Sequence, residues 1–205
     1  MSAERTEPGS PGRRVTHDKP GEDAGLVLRV RDGDTGAFRV LVDRHIAMAV
    51  SIGRRMMRDD AEAEDVAQEA FLRLWRSAAS LEIGASGIEP WLRRVVSNLC
   101  IDRLRSSRRL IVTDEVPEQP QAAGQLRDLE SEDLARRVDA ALKELPERQR
   151  LALTLFHFEG LSQIEVGREM GISDEAVESL LSRARRALRV SLKDDWQALV
   201  SDRSR

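Results

Sequence analysis

Apolar residues recur every three or four positions through most of this chain, which is the spacing of one face of an α-helix. Phe38, Leu41, Ala49 and Ile52 follow that spacing and predict a helix that begins near residue 34. A short apolar turn over residues 26–30 precedes this helix and is closed by a glycine. No segment alternates apolar and polar residues between hairpin turns, as strands would. The pattern predicts an all-α fold.

The next two predicted helices are amphipathic, with a polar side as regular as the apolar one. A helix over about residues 60–80 places Val66, Phe71 and Leu74 on one face. A further helix begins at the string EPWL, because Pro90 suits the first helical turn, where its missing N–H would be unpaired anyway. The polar side of this second helix carries Arg94, Asn98, Asp102, Arg105 and Arg109.

The second half of the chain predicts two helices that meet at a proline, followed by a helix-turn-helix unit. The unit is the string GLSQIEVGREMGISDEAVESLLSRARRAL. Ser162 and Glu165 fit a capping box at its start, Gly167 is the small residue where the helices cross, and Gly171 forms the turn. Such units usually bind DNA, although the geometry recurs in other helical proteins. The apolar positions of the two preceding helices are Leu134, Val138, Leu142 and Leu145, and then Leu151, Leu155 and Phe158.

The second helix of this unit carries acids where a DNA-binding surface would repel them. Asp174 and Glu175 lie in its first turn, where the helix dipole favours negative charge. Glu178 projects outward, and it could accept a hydrogen bond from a cytosine amino group or be a solvated residue that lowers non-specific affinity. Two arginines further along suit phosphates. The candidate DNA contacts of this helix are Ser173, Glu175, Glu178, Ser179, Ser182, Arg183 and Arg186.

Proline and glycine divide the chain into segments. Residues 1–22 have the composition of a disordered tail, and the string TDEVPEQPQAAGQ (113–125) has that of a linker. We expect a first helical domain over 23–110, a flexible linker over 111–130, a second helical domain over 131–196 and a C-terminal tail over 197–205. The predicted architecture is two small helical domains, the second of which contains the helix-turn-helix.

Charge is segregated along the chain although the net charge is only -3. Residues 59–69 are acidic, whereas 93–109 and 183–189 are rich in arginine, so local basic patches exist for nucleic acid. No apolar run reaches the length of a membrane span, and no apolar signal core is present at the start. We therefore expect a cytoplasmic protein without membrane insertion.

Catalytic and metal chemistry finds no support in the sequence. The three histidines are scattered, and no Cys/His/carboxylate cluster has metal-ligand spacing. The one cysteine, Cys100, fits a small buried hydrophobe better than a nucleophile. His157, between two phenylalanines, fits a partly buried structural histidine. We expect no enzyme activity, no metal site and no cofactor.

Three strings, in this order, resemble the extracytoplasmic-function (group IV) sigma factors of bacteria. They are DDAEAEDVAQEAFLRLWR, EPWLRRVVSNLCIDRLRSSRR, and LPERQRLALTLFHFEGLSQIEVGREMGIS followed by RARRAL. The resemblance covers about residues 26–190. It implies that the first string binds core RNA polymerase, the second melts and reads the minus-10 element, and the third reads the minus-35 element. The implied partners are promoter DNA, the largest-subunit coiled coil and the flap of the polymerase, and a cognate anti-sigma factor.

The family's polymerase-binding helix implies a contact face on the first string. An exposed leucine flanked by charges is what a modest interface hot spot needs. The alternative is a solvated helix with charge pairs such as Glu69 with Arg73; we favour the interface because Leu72 has no other reason to lie on that face. The implied polymerase contacts are Asp65, Gln68, Glu69, Leu72 and Arg76.

The minus-10 string departs from the family where a flipped base would be captured, in the loop over residues 82–89. The family often has an aromatic residue and a Ser or Thr before the Trp, where this chain has Ile88, Glu89 and Pro90. Few aromatics are available to stack on melted bases, which predicts dependence on a near-consensus promoter. Trp91 fits a core anchor better than a stacking platform. The implied minus-10 contacts are Ser86, Gly87, Ile88, Arg94, Asn98, Asp102, Arg105 and Arg109.

The recognition helix departs as well. Many relatives have Thr-Val-Lys-Ser after the turn, where this chain has Ala-Val-Glu-Ser at 176–179. The change predicts an altered minus-35 preference rather than lost DNA binding, because the arginines remain. Two other functions account for part of the sequence, a decoy and a plain helix-turn-helix repressor. A decoy that sequesters an anti-sigma factor tends to lose the basic minus-10 stripe, which is intact here, and a plain repressor would not explain the first two strings.

Overall fold

The computed structural model describes residues 20–57, 59–84, 86–111 and 129–193, and within these ranges the chain is helical without strands. The first block, residues 20–111, holds four α-helices, and the second block, residues 129–193, holds four more. A 3-10 turn (Ala78–Ser80) follows the third helix, and a π-helical turn (Thr154–Phe158) follows the sixth. The helices are α1 (Pro20–Arg31), α2 (Thr35–Met56), α3 (Asp60–Ser77), α4 (Glu89–Ile111), α5 (Leu129–Lys143), α6 (Glu147–Leu153), α7 (Gln163–Met170) and α8 (Asp174–Ser191).

The beginning of the first block differs from the prediction of an apolar turn after a disordered tail. Residues 20–31 form α1, so the helix includes the last three residues assigned to the tail. Asp23 explains why: its carboxylate is buried, accepts from Arg44 Nη1 at 3.0 Å, and lies 2.9 Å from His45 Nε2. A buried carboxylate needs such partners, and α2 supplies both. His45 is itself buried beside Asp23.

The remaining helices of the first block begin at capping residues. The side chain of Asp34 accepts from the Ala37 N–H at 2.9 Å, and that of Asp59 accepts from the Glu62 N–H at 2.7 Å. These caps satisfy amide groups that have no partner inside the helix. Apolar faces of α2, α3 and α4 then pack into one core, as the periodicity predicted.

The helix-turn-helix prediction is confirmed in the second block. The capping box at Ser162 is present with both of its bonds. A Cβ on Gly167 would meet the Ile172 carbonyl oxygen at 2.9 Å, so only glycine fits where α7 crosses α8. Gly171 has a φ of 63°, which glycine adopts without strain. Phe158, in contrast, is 41% exposed and does not line the inner face, because the π-helical turn rotates it outward.

The two blocks pack against each other. The C-terminal half of α2 contacts α5, α6 and the π-helical turn, while α4 contacts α6 and α7. One hydrophobic cluster includes buried residues from both blocks. The predicted tail up to residue 19, residues 112–128 of the linker predicted over 111–130, and the C-terminal tail over 197–205 lie outside the described residues. The other three residues assigned to the linker are helical, because α4 ends at Ile111 and α5 begins at Leu129. None of the described helices is long and apolar enough to cross a membrane.

Candidate protein- and nucleic-acid-binding surfaces

The outward face of α3 is a mixed surface of charges around one large apolar side chain. Leu72 is 46% exposed although it belongs to an amphipathic helix whose other large aliphatic side chains, Val66 and Leu74, are buried. Glu69 is half-buried, and its Oε1 accepts from Arg73 Nε at 3.0 Å. Asp65 forms an ion pair with Arg103 of α4 at 3.7 Å. The other residues predicted for this face, Gln68 and Arg76, are exposed.

A second large apolar side chain on this face was missed from the sequence. Trp75 is 36% exposed and lies one turn after Leu72. Its ring packs edge to face against Phe38 of α2, with 5.1 Å between ring centroids. The three-residue spacing from Leu72 was the signal that could have identified it. We define the α3 patch as Leu72 and Trp75 with the surrounding polar side chains of α3.

The polar stripe of α4 lies on one exposed side of the helix. Arg94, Asn98, Asp102 and Arg105 are all exposed, and the backbone of Arg109 continues the same helix, with its side chain outside the described residues. One side of α4 therefore carries guanidinium groups, the amide of Asn98 and the carboxylate of Asp102.

Arg93 directly precedes the first residue of the stripe. Its side chain is buried, which the sequence did not predict. Its guanidinium contacts Glu89 one turn earlier. Its Nη1 also lies 3.6 Å from Glu169 Oε1 of α7. Arg93 therefore belongs to a contact between the two blocks rather than to the exposed stripe.

The loop before α4 divides into an exposed turn and a buried anchor. Ser86 is exposed, and Gly87 has a φ of 71°, in a turn where its N–H donates to the Gly84 carbonyl at 3.1 Å. Ile88 is completely buried. The sequence grouped Ile88 with the DNA contacts; the structure places its side chain in the core, because an aliphatic residue just before α4 fills space under the helix start. Trp91 is half-buried against the same core.

Two of the residues predicted to contact DNA, Ser173 and Glu175, have a structural role at the start of α8. Ser173 is the N-cap, and its hydroxyl accepts from the Ala176 N–H at 3.3 Å. A hydrogen bond with Ser173 lowers the pKa of the Glu175 carboxyl below its usual value. These two side chains therefore stabilise the helix start, which was the structural interpretation of the acids in the first turn.

The rest of the α8 outward face is open. Glu178, Ser182, Arg183 and Arg186 are exposed, and Ser179 is half-buried. The inward residues Val177, Leu181 and Ala184 are buried against the second block. The face thus offers one carboxylate, two hydroxyls and two guanidiniums.

Another arginine of α8 turns away from this face and contacts the π-helical turn. Arg185 Nη2 lies 3.4 Å from His157 Nε2, and its guanidinium lies 5.6 Å from the centroid of the Phe156 ring. Desolvation, with the Arg185 charge as a smaller contribution, lowers the pKa of His157. His157 is a surface partner of Arg185, more exposed than the sequence suggested.

The chemistry of the remaining reactive groups is limited. Within the described ranges, no group of three or more His, Cys, Asp and Glu residues could hold a metal ion. Cys100 is fully buried, as predicted, and burial raises the pKa of its thiol to about 12. A thiol with so high a pKa is a poor nucleophile.

Two family models match the chain, one in each block. The model described as Sigma-70 region 2 matches residues 41–110, and the model described as Sigma-70, region 4 matches residues 135–188. The first match contains α3 and α4, and the second contains the helix-turn-helix.

Curated relatives include several sigma factors. The RNA polymerase sigma-H factor of Pseudomonas aeruginosa is 33% identical over 183 residues, which are 84% of this chain and 94% of that protein. The ECF RNA polymerase sigma factor SigW of Bacillus subtilis is 32% identical over 179 residues, 82% of this chain and 95% of that protein. A probable sigma factor, RfaY of Xanthomonas campestris, is 38% identical over 151 residues, 69% of this chain but only 37% of that protein.

A solved structure shares the overall arrangement. It contains CnrH in complex with the cytosolic domain of CnrY, and CnrH aligns with a TM-score of 0.61 at 27% identity. The alignment covers 84% of this chain and 98% of that chain.

Proposed function

This chain belongs to the extracytoplasmic-function family of RNA polymerase sigma factors, and on that premise we propose which of its surfaces bring the core polymerase to specific promoters. The observation that carries the assignment of surfaces is the α3 patch, an exposed apolar pair on an otherwise polar helix. Core polymerase and promoter DNA meet in the bacterial cytoplasm, so we place the chain there, acting as a polymerase subunit without catalytic chemistry of its own.

The α3 patch binds the coiled coil of the largest polymerase subunit. Leu72 and Trp75 supply apolar area at the centre, and aromatic residues are frequent among the side chains that dominate interfaces. Asp65, Gln68, Glu69 and Arg76 form the polar rim, which steers association and excludes wrong partners more than it adds affinity. The flap of the polymerase is the corresponding partner of the second block.

The exposed side of α4 binds the minus-10 element. Arg94, Arg105 and Arg109 meet phosphates, which positions the helix without reading sequence, and Asn98 has the amide needed to read a base edge. Asp102 can accept from a base amino group. Ser86 and Gly87 in the preceding turn take the flipped base, whose unstacking costs a few kcal/mol that the pocket must return.

The outward face of α8 reads the minus-35 element in the major groove. Glu178 accepts from a cytosine amino group, and the hydroxyls of Ser179 and Ser182 add adaptable contacts. Arg183 and Arg186 bind phosphates on either side. An acid at the reading position gives this chain a different preference from relatives with lysine there.

An anti-sigma factor holds the chain until a signal releases it. The resemblance to the family implies such a partner, and CnrH, which is similar along most of this chain, was solved in complex with another protein, the cytosolic domain of CnrY. A decoy function is less favoured, because Arg94 and Arg105 remain exposed on α4.

In vitro transcription tests the proposed function. The purified chain is added to core RNA polymerase on fragmented genomic DNA of its host, and new 5′ ends are mapped. Discrete starts that share two spaced motifs are the expected result. An absence of starts together with an absence of polymerase binding would favour the decoy.

The Leu72→Asp variant tests the α3 patch. A buried charge at the centre of the interface is expected to abolish co-purification with core polymerase, while binding of a minus-35 duplex is retained. Leu28→Asp is the matched control, because Leu28 is equally large, is exposed on α1 of the same block, and lies outside the α3 patch. Retained polymerase binding by Leu72→Asp would contradict the assignment.

A further inference from the structure

One arginine in the basic segment of α4 lies on the side of the helix that faces α3. Arg103 directly follows Asp102 of the exposed stripe, and one residue of an α-helix turns the side-chain direction by about 100°. It comes three residues after Cys100 and four after Leu99, which are both buried, so it lies at the edge of the inner side of α4. By composition alone, Arg103 belongs to the arginine-rich segment that suits nucleic acid.

The guanidinium of Arg103 is held by the backbone of α3. Its Nη1 donates to the Glu62 carbonyl at 3.3 Å. The charge of Arg103 also opposes the rise in the pKa of the buried Cys100 thiol, so the guanidinium lies near the core on this side. Arg105, in contrast, is exposed on the outer side of the helix. The two arginines therefore serve different neighbours although they are two residues apart.

The same nitrogen of Arg103 also approaches a side chain of the predicted polymerase-binding face. Nη1 lies 3.7 Å from Asp65 Oδ2, and the Asp65 side chain is 64% exposed. An ionised carboxylate has two oxygens with about four acceptor positions between them. A donor from another protein can therefore still bind Oδ1. Arg103 restrains the Asp65 carboxylate without covering it.

This ion pair matters more for binding than for folding. Ion pairs this exposed contribute little to the free energy of unfolding, because water screens the charges and both side chains lose freedom. A side chain that is already ordered loses less conformational freedom when a partner binds. Charges at the rim of an interface also steer the partner and act mainly on the association rate. Asp65 belongs to the polar rim around the α3 patch, so both effects apply to it.

We propose that Arg103 is a positioning residue for polymerase binding, which holds Asp65 in the orientation that the polymerase meets, and that it is not a minus-10 DNA contact. The inference rests on the proposed assignment of the α3 patch and its rim to core polymerase. A carboxylate presented in this way fits a cationic side chain of the polymerase. It gives α4 two functions on two sides, DNA binding by the exposed stripe and support of α3 by Arg103.

A double-mutant cycle tests whether Arg103 acts through Asp65. Full-length chains with Arg103→Ala, Asp65→Ala or both changes are measured for affinity and association rate with core polymerase. Arg103→Ala is expected to lower the affinity about fivefold, mainly by slowing association at low salt. In the Asp65→Ala background, the same change should have an effect of less than about twofold.

Two controls separate positioning from folding. Arg103→Lys keeps the positive charge and is expected to recover most of the lost affinity. Urea denaturation of each variant should give nearly the same free energy of unfolding as the unchanged chain, because the ion pair is exposed. A purely structural effect of Arg103 would change unfolding and polymerase affinity together.

Binding of minus-10 DNA separates this role from a DNA contact. Affinity for an oligonucleotide with the mapped minus-10 element is measured at saturating core polymerase, so that polymerase affinity does not enter. Arg103→Ala should leave this affinity unchanged. Arg105→Ala, a matched change on the exposed side of the same helix, should lower it, because arginines there meet phosphates. Equal losses for the two variants would overturn the proposal.

The remaining outcomes distinguish this inference from the proposed function. Unchanged polymerase affinity in Arg103→Ala would overturn the inference alone. An equal loss with and without the Asp65 carboxylate would also overturn it, because Arg103 would then act independently of Asp65. If the unchanged chain does not bind core polymerase, the proposed function fails and the inference fails with it.

Discussion

The helices α4 and α8 are both proposed to bind promoter DNA, but the rest of the chain leaves them unequally accessible. On α4, the first arginine of the stripe is bound to the backbone of α7. On α8, Arg183 and Arg186 are exposed, and within the described part of the chain they contact no carboxylate. The comparison teaches that an exposed arginine on a polar helix face can already be hydrogen-bonded within the chain, so exposure alone does not make a guanidinium available to DNA.

The difference has a structural origin in the helix-turn-helix itself. At the C-terminal end of α7, the Arg168 carbonyl accepts from Arg94 of α4, and the Glu169 carboxylate lies near the same arginine. On α8, Arg183 and Arg186 are exposed. The turn at Gly171 separates these two helices.

Removal of the Arg150 side chain is expected to produce the largest change. Arg150→Ala leaves the Met56 carbonyl and two carbonyls of the α5–α6 turn without their donor. The expected loss is about 3 kcal/mol in free energy of unfolding, measured by urea denaturation. Arg148→Ala, an exposed change on the same helix, should lose less than about 0.5 kcal/mol. Similar losses for the two variants would mean that Arg150 does not hold the second block against the C-terminal end of α2.

The double change Arg183→Ala and Arg186→Ala tests the open face of α8. It is expected to weaken binding of minus-35 duplexes of every sequence, and to reduce the slope of log affinity against log salt by about 2. The measurement is a salt titration with the mapped duplex. Arg39→Ala, exposed on α2, should leave the slope unchanged. A sequence-dependent loss would mean that these arginines read bases.

A smaller and more selective effect is expected from Glu178→Lys. Replacing an acceptor by a donor should change the preferred base at one minus-35 position by about 1–3 kcal/mol. A selection from randomised duplexes measures this preference. Glu175→Gln is the control, because that carboxylate interacts with the N-cap Ser173 and should leave base preference unaltered. Unchanged preference in Glu178→Lys would make Glu178 a solvated residue.

The smallest expected effect is a pH dependence of the contact between α4 and α7. Burial raises the pKa of Glu169 above its ordinary 4.5 when the two helices are in contact, so this arrangement binds more protons than one without the contact. The contact should therefore weaken as pH rises from about 4.5 through the raised pKa. The charged groups that act on Glu169 are Arg93 and Arg94 of α4, with Glu165 of α7.

Small-angle scattering at about pH 5 and about pH 7.5 checks this dependence. The radius of gyration should be smaller at the lower pH. Glu169→Gln cannot ionise and should remove the difference; a difference that persists in this variant would assign the titration to other groups.

Local structure was predictable from the sequence because its signals are local. The helices of both blocks followed the spacing of apolar residues, and the capping box at Ser162 and the glycines at 167 and 171 marked the helix-turn-helix. Such signals depend on residues within one or two turns of each other. The exposure of Leu72 was predictable for the same reason.

Contacts between distant residues had no such signal. Arg93 and Glu169 are 76 positions apart, and nothing near either one indicates the other. Ile88 was assigned to DNA by its position in a family motif, whereas its side chain is fully buried. The helical state of α1 depended on Asp23 finding partners on α2, which local composition does not encode.

The π-helical turn sets the direction of the side chains that follow it. Its Glu159 N–H donates to the Thr154 carbonyl at 3.1 Å, five residues back, so the helix over residues 147–158 carries one residue more than an α-helix would. Deleting one residue there would rotate the following side chains by about 100°, and turn Phe158 away from Arg55. A change of one residue in this turn would therefore remove the contact between Phe158 and Arg55, which is one of several contacts that join the two blocks.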